Sequence, residues 1–174
     1  MLKTILIVAV VAVALLLIYA ATRPDTFRVE RSLRIKAAPE AIFPLINDLH
    51  GFNTWNPYLK KDPAMKQDYG GAASGPGASL AWDSRKVGTG SMTIEAATPE
   101  RITMRLEFLK PFKASNKAEF TLRPDGDATV VTWAMDGRAN FVSKLMQVFF
   151  SLDNMVGRDF ADGLANLAVL VEKR

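Results

Sequence analysis

From Thr4 to Thr22 the chain reads TILIVAVVAVALLLIYAAT, with no charge between Lys3 and Arg23. As a helix rising ~1.5 Å per residue it reaches ~28 Å, close to the hydrocarbon thickness of a bilayer. A helix apolar on every side has no wet face to offer a water-soluble surface. The expectation is therefore an anchor over residues 1–23 that spans the membrane through residues 4–22, followed by one domain over 24–174. A cleaved signal peptide is the competing reading, but such peptides carry an apolar core of only roughly 7–15 residues and a small-x-small site. A cut after Ala21 would put Tyr19 at the first small position, and a cut after Ala20 would put Ile18 there.

The flanks pull the orientation two ways. Lys3 and the amino terminus favour a cytoplasmic start, whereas Arg23, Arg28, Arg31 and Arg34 crowd the other side. The expectation is a single-pass protein of a bacterial inner membrane with its domain on the periplasmic side.

Charge excludes one class of partner. The net charge of +4 falls to +2 once Lys3 and Arg23 are set aside. The remaining basic residues interleave with acidic ones, which describes a solvated surface and no nucleic-acid footprint. There is no cysteine, so neither a disulfide nor a thiolate metal site is available, and with one histidine a structural zinc site is ruled out in practice. No cofactor is expected.

After a short Pro24-Asp25 linker, Phe27, Val29, Leu33 and Ile35 alternate with polar residues, as in a half-buried strand. Arg31 falls on the apolar parity. It is either a bulge or rim residue or a cation pointing into a pocket. Pro39 then suits the first position of a helix carrying Ile42, Leu45, Ile46 and Leu49, and Pro44 should shorten or kink it. Asn47-Asp48 can cap a second short helix ending near Gly51. The stretch from Trp55 to Gly77 reads as mostly loop, with one short strand near Met65–Tyr69.

Alternation then returns repeatedly. Leu80 and Trp82 share one face, as do Met92, Ile94 and Ala96 on the next strand. Ile102, Met104, Leu106 and Phe108 follow, then Ala118, Phe120 and Leu122, and last Val131, Trp133 and Met135. Turn chemistry at Thr98-Pro99-Glu100 and Pro124-Asp125-Gly126-Asp127 joins them as an antiparallel sheet, wet on one face and covered on the other. The cover is a long amphipathic C-terminal segment with Asn140 as its N-cap, Leu152, Val156, Phe160, Leu164, Leu167 and Val171 at helical spacing, and Lys173 and Arg174 at its end. Phe149 is expected on its sheet side. Gly157 and Gly163 each cost ~1 kcal/mol inside a helix relative to Ala, so either the helix kinks there or something else approaches closely.

The strand running into PEAIFPLINDLHGFNTWNP, then GASLAWDS, VGTGSMTI, FTLRPDGDATVVTWAMDG and DNMVGRDFADGLANL, resembles in this order the START-like, or Bet v 1-like, superfamily (SRPBCC). The nearer resemblance is to its polyketide cyclase/dehydrase and lipid transport branch. It implies an α+β helix-grip fold, a curved antiparallel sheet of six to seven strands around a long C-terminal helix. It also implies a cavity for a hydrophobic small molecule or lipid.

Candidate ligand-binding residues follow from the inward parities: Trp82, Met92, Met104, Phe108, Trp133 and Met135 on the strands, with Met155 and Phe160 on the helix. Trp55 and Tyr58 could line the entrance, with Asn56 and Tyr58 orienting a polar head. The same stripes would equally fill a closed core. Catalytic candidates are thin. His50, Arg31 and Asp83 are the only ones, and none sits in a recognisable constellation, so no catalytic residue is assigned and an enzyme is not the favoured reading. Three functions stay open: a membrane-anchored binder or carrier of a lipid-like or polyketide-like molecule, a cyclase or dehydrase acting on a polyketide-like substrate, and a ligand-free membrane-bound interaction module.

Overall fold

The computed structural model describes residues 1–173; Arg174, expected at the helix end, lies outside them. The apolar run forms helix α1 (Leu2–Ala21), followed by β1 (Thr26–Ile35) and three short helices, α2 (Pro39–Asn47), α3 (Leu49–Asn53) and α4 (Pro57–Lys61). Six further strands are β2 (Lys66–Gly71), β3 (Ala78–Ser84), β4 (Gly88–Thr98), β5 (Arg101–Lys110), β6 (Ala114–Asp125) and β7 (Ala128–Arg138). Two helices close the chain, α5 (Phe141–Phe149) and α6 (Leu152–Glu172).

All seven strands form one antiparallel sheet in the order β1-β7-β6-β5-β4-β3-β2. Only the β1–β7 pairing is non-local, and it brings the first strand beside the last. Alternation is obeyed on the covered face: Ile102 and Met104, Ala118, Phe120 and Leu122, Val131, Trp133 and Met135 are all buried. Ala96 departs from it. A register shift between Ile94 and Ala96 turns Ala96 out to solvent and Ala97 in, because a bulge advances the side-chain parity by one residue. At the far turn, Gly126 takes the positive φ of 64° that the tight β6–β7 reversal needs.

The short helices plug the open end of the sheet. α2 runs through Pro44, and Asp48 caps α3 by accepting the His50 N–H at 2.9 Å. The region expected to be loop contains α4. Asn56 caps it through the Tyr58 N–H at 2.9 Å, and Pro57 takes the first helical position, where its missing N–H costs nothing.

The C-terminal cover is two helices instead of one. Phe150 adopts extended geometry, and Ser151 restarts the helix by accepting the Asn154 N–H at 3.1 Å. That break turns Phe149 out to solvent, 64% exposed, so it does not face the sheet as expected. Asn140 caps α5 through the Ser143 N–H, as anticipated.

The two glycines of α6 are sites of close approach to the sheet. A Cβ on Gly157 would lie 2.1 Å from Arg31 Nη2, and one on Gly163 would lie 2.7 Å from Cζ3 of Trp133. Arg31 is thus a rim residue. Its guanidinium lies over Gly157 and makes a bidentate pair with Asp153, 2.9 Å to each carboxylate oxygen.

Candidate functional site

Between the covered face of the sheet and the first half of α6 lies a cavity of about 350 Å³. Its floor is apolar sheet: Met104, Ala118, Phe120, Trp133 and Met135, with Leu80, Trp82 and Met92 farther along. Phe52 of α3 and Val156 and Phe160 of α6 form walls. The aromatic part of the lining is tightly fixed. Trp133 stacks on Phe160 with ring centres 4.1 Å apart and 11° between planes, and Trp82 meets Phe108 edge-on at 5.8 Å. Gly90 makes room for Trp82, since a Cβ there would lie 2.6 Å from Cζ2. The exposed members of the lining, Lys61, Lys86 and Met155, mark the mouth.

Nine of the ten residues chosen from sequence line this cavity: Tyr58, Trp82, Met92, Met104, Phe108, Trp133, Met135, Met155 and Phe160. Trp55 stands behind the lining. It is fully buried, donates its indole N–H to the Leu45 carbonyl at 2.8 Å, and packs edge-on against Trp133. The three catalytic candidates lie elsewhere. His50 stacks on Tyr69 at 3.8 Å, Asp83 accepts the Thr89 hydroxyl at 2.8 Å, and Arg31 is held by Asp153.

The polar members of the lining are Asn53, Asn56, Tyr58, Lys61, Lys86 and Asp159. Asp159, buried on α6, pairs with Lys61 of α4, and Lys61 lies 5.4 Å from the centre of the Tyr58 ring. Burial, helped by the negative charge of Asp159, pushes the Tyr58 hydroxyl above its ordinary value, so it stays neutral and able to donate. The Trp82 indole N–H is buried with no partner among the described residues. A guest with an acceptor group would satisfy it. Asp159 was missed from sequence, yet it stands four residues after Met155 and so shares its helix face. Lys61 carried no such signal, because α4 was not foreseen.

A second depression, about 720 Å³, is lined by residues of β1, β4, β5, β6 and β7 and is ringed by Arg28, Glu95, Arg105, Lys117 and Asp136. Those charges are already paired, Arg28 with Asp136 and Arg105 with Glu95. An apolar guest would gain little there and would have to desolvate them.

Comparison with known proteins agrees with this architecture. Among curated proteins, none matches the chain by sequence. Protein CV1439 from Chromobacterium violaceum superposes with a TM-score of 0.59 at 17% identity, over 86% of this chain and 99% of that one. Ara h 8.0201 gives 0.56 at 12% identity, over 86% and 99% of the two chains. The di-domain ARO/CYC StfQ from the steffimycin biosynthetic pathway gives 0.62 at 8% identity, and this chain spans 86% of itself but only 51% of StfQ. At these identities the likeness is one of fold, the Bet v 1-like helix-grip architecture. The family model for polyketide cyclase / dehydrase and lipid transport matches residues 26–172, every element after α1, and the chain belongs to that family.

Proposed function

We propose that the protein is a membrane-anchored binder or carrier of a hydrophobic small molecule, lipid-like or polyketide-like. The observation that carries this reading is the cavity of about 350 Å³, walled mainly by aromatic and Met side chains with a minority of polar residues. Pockets of ~300–1000 Å³ with that balance are the usual form of small-molecule sites. The volume is at the small end, which favours a guest with a single slender apolar body and one acceptor-bearing end. Met92, Met104, Met135 and Met155 can re-shape around it, since unbranched thioethers change rotamer cheaply.

Residues 1–23 serve as the anchor and 24–174 as the ligand domain. α1 is uncharged from Thr4 to Ala21 and exposed along its length except at Ala20 and, in part, Leu16, as a helix solvated by lipid would be. We place it across a bacterial inner membrane with the domain on the periplasmic side.

The test is native mass spectrometry of the full chain purified from a lipid-containing host in mild detergent, followed by organic extraction. An apolar adduct, lost in Ala118→Phe, which fills the cavity floor, supports the binder. A clean apo mass for the parent chain, unchanged after incubation with lipid vesicles, defeats it.

One observation favours a second reading, a cyclase or dehydrase. Asp159 and the neutral Tyr58 both stand on the lining, with Lys61 and Lys86, and would supply groups for proton transfer. Loss of turnover of a poly-β-ketone in Tyr58→Phe with binding retained would establish it.

A further inference from the structure

The register of the sheet puts several distant segments at one end. Thr26 pairs with Arg138, Gly137 with Asn116, Leu106 with Asn116, and Thr89 with Lys110. The start of β1, the β5–β6 tip, the β3–β4 turn and the chain leaving β7 for α5 therefore share that end. It is also where α1 enters the domain. The Ala139 N–H donates to the Asp25 carbonyl at 2.8 Å, the Asp25 carboxylate pairs with Lys144 of α5, and Ala20 in the last turn of α1 is fully buried. The end of the anchor helix is thereby packed against α5.

This end is apolar where a soluble domain would be wet. On α5 and its cap, Phe141, Val142, Met146, Phe149 and Phe150 are all exposed, Phe150 to 66%. At the β5–β6 tip Leu109 and Phe112 are exposed as well. Beside them stand exposed Arg85, Lys86, Lys110, Lys113 and Arg138, and none of these forms an ion pair among the described residues. The opposite end differs in hydropathy. Its strand turns carry Glu100, Asp125 and Asp127 and no exposed large hydrophobic residue among those described. Arg34 is paired to both aspartates, and the exposed Lys36 and Arg123 stand beside them. A helix with large apolar residues on one side, next to free cations, is the pattern of an element lying in a bilayer interface. The mouth of the cavity, with Lys86, Val87, Phe108 and Met155 in its lining, is at this same end.

We propose that this end of the domain docks on an anionic bilayer. α5 and the Leu109–Lys113 tip sink into the headgroup layer, Lys86, Lys110, Lys113 and Arg138 meet lipid phosphates, and the cavity mouth faces the membrane. The guest then passes between bilayer and cavity without crossing water. The inference rests on the reading of α1 as a membrane anchor, because the packing of α1 on α5 is what brings this face to the lipid.

The cysteine-free chain permits a direct test. Full-length F112C, F149C and D127C are each labelled with bimane and reconstituted in phosphatidylglycerol-containing vesicles. Quenching by doxyl-labelled lipid is compared with quenching by aqueous iodide. The expected result is several-fold stronger lipid-phase quenching at positions 112 and 149 than at 127, with iodide showing the reverse. In K110E/K113E, or in purely zwitterionic vesicles, the lipid-phase quenching at 112 should fall. Equal iodide access at all three positions, with the chain retained after carbonate washing, overturns the docking and leaves the anchor standing. Release by carbonate overturns the anchor reading and the docking together. Shielding of 112 and 149 from both quenchers, persisting in detergent, would assign the face to a second copy and also overturn the proposal. None of these readouts depends on whether the cavity holds a ligand.

Discussion

The indole of Trp133 occupies the space that a side chain on Gly163 would need, with a Cβ there only 2.7 Å from Cζ3 and 3.1 Å from Pro57 Cδ. α6 can lie against the cavity floor because that position is bare. Alanine at 163 would gain ~1 kcal/mol of helix propensity but overpack a rigid ring, which costs ~1–3 kcal/mol. Gly163→Ala should therefore destabilise the domain by up to about 2 kcal/mol. Chemical denaturation of the two chains would reveal it, and a gain in stability would show that Trp133 is free to move.

Arg31 and Asp153 tie β1 to the start of α6, and their bidentate hydrogen bonds hold the Asp153 carboxyl below its ordinary value. The stabilisation belongs to the charged carboxylate. It is complete above the unfolded value of ~3.9 and disappears as pH falls through the lower folded value. Asp25, Asp62 and Asp127 are lowered in the same way, by Lys144, Ser84 and Arg34 respectively. Thermal melts should be flat from neutrality to about pH 5 and then fall steeply below about pH 4. In Asp153→Asn the neutral-pH melting temperature should drop and the acid slope should become shallower.

A methyl group at 157 would strike the Arg31 guanidinium, whose Nη2 lies 2.1 Å from the Cβ position. Arg31 is a long side chain and can swing away, but only by leaving Asp153. Gly157→Ala should therefore abolish the extra acid sensitivity carried by Asp153 and lose the stability the pair adds at neutral pH, offset by the ~1 kcal/mol of helix propensity that Ala gains over Gly. A double-mutant cycle of Gly157→Ala with Asp153→Asn, read by melting across pH, should be strongly non-additive.

Tyr58 keeps its proton and lines the cavity with Asp159 and Lys61. If the Tyr58 hydroxyl bonds the polar end of the guest, its removal forfeits ~0.5–1.5 kcal/mol, or roughly two- to tenfold in affinity. Tyr58→Phe should weaken binding of a fluorescent fatty-acyl probe by that factor and leave binding of a purely hydrocarbon probe unchanged. Equal affinity for both probes in parent and variant would remove Tyr58 from the site.

Much of the architecture was legible without coordinates, because it rests on local periodicity. Period-two alternation in β5, β6 and β7 assigns a buried face whatever the strands pair with, and the helical spacing of Phe160, Leu164, Leu167 and Val171 does the same for α6. Alternation failed only at Ala96, where a bulge shifts the register. The six strand residues among the nine that meet around the cavity do so for the same reason, since inward parity selects whatever the sheet encloses. Trp55 shares that apolar character, yet the path of α3 and α4 sets it one layer behind.

By itself the sequence determined the strands and the longer helices, though not α4 or the break at Phe150, which side of each is apolar, and that one segment is uncharged for the full depth of a bilayer. Each of those properties is decided within a window of a few residues by backbone geometry and hydropathy. Only the tertiary structure decided that the apolar stripes enclose a void instead of meeting. It also placed Asp159 opposite Lys61, set Arg31 over Gly157, and broke the C-terminal cover at Phe150. Those outcomes depend on the curvature of the sheet and on the distance between elements far apart in the chain, and a pattern with a period of two or 3.6 residues carries no information about either.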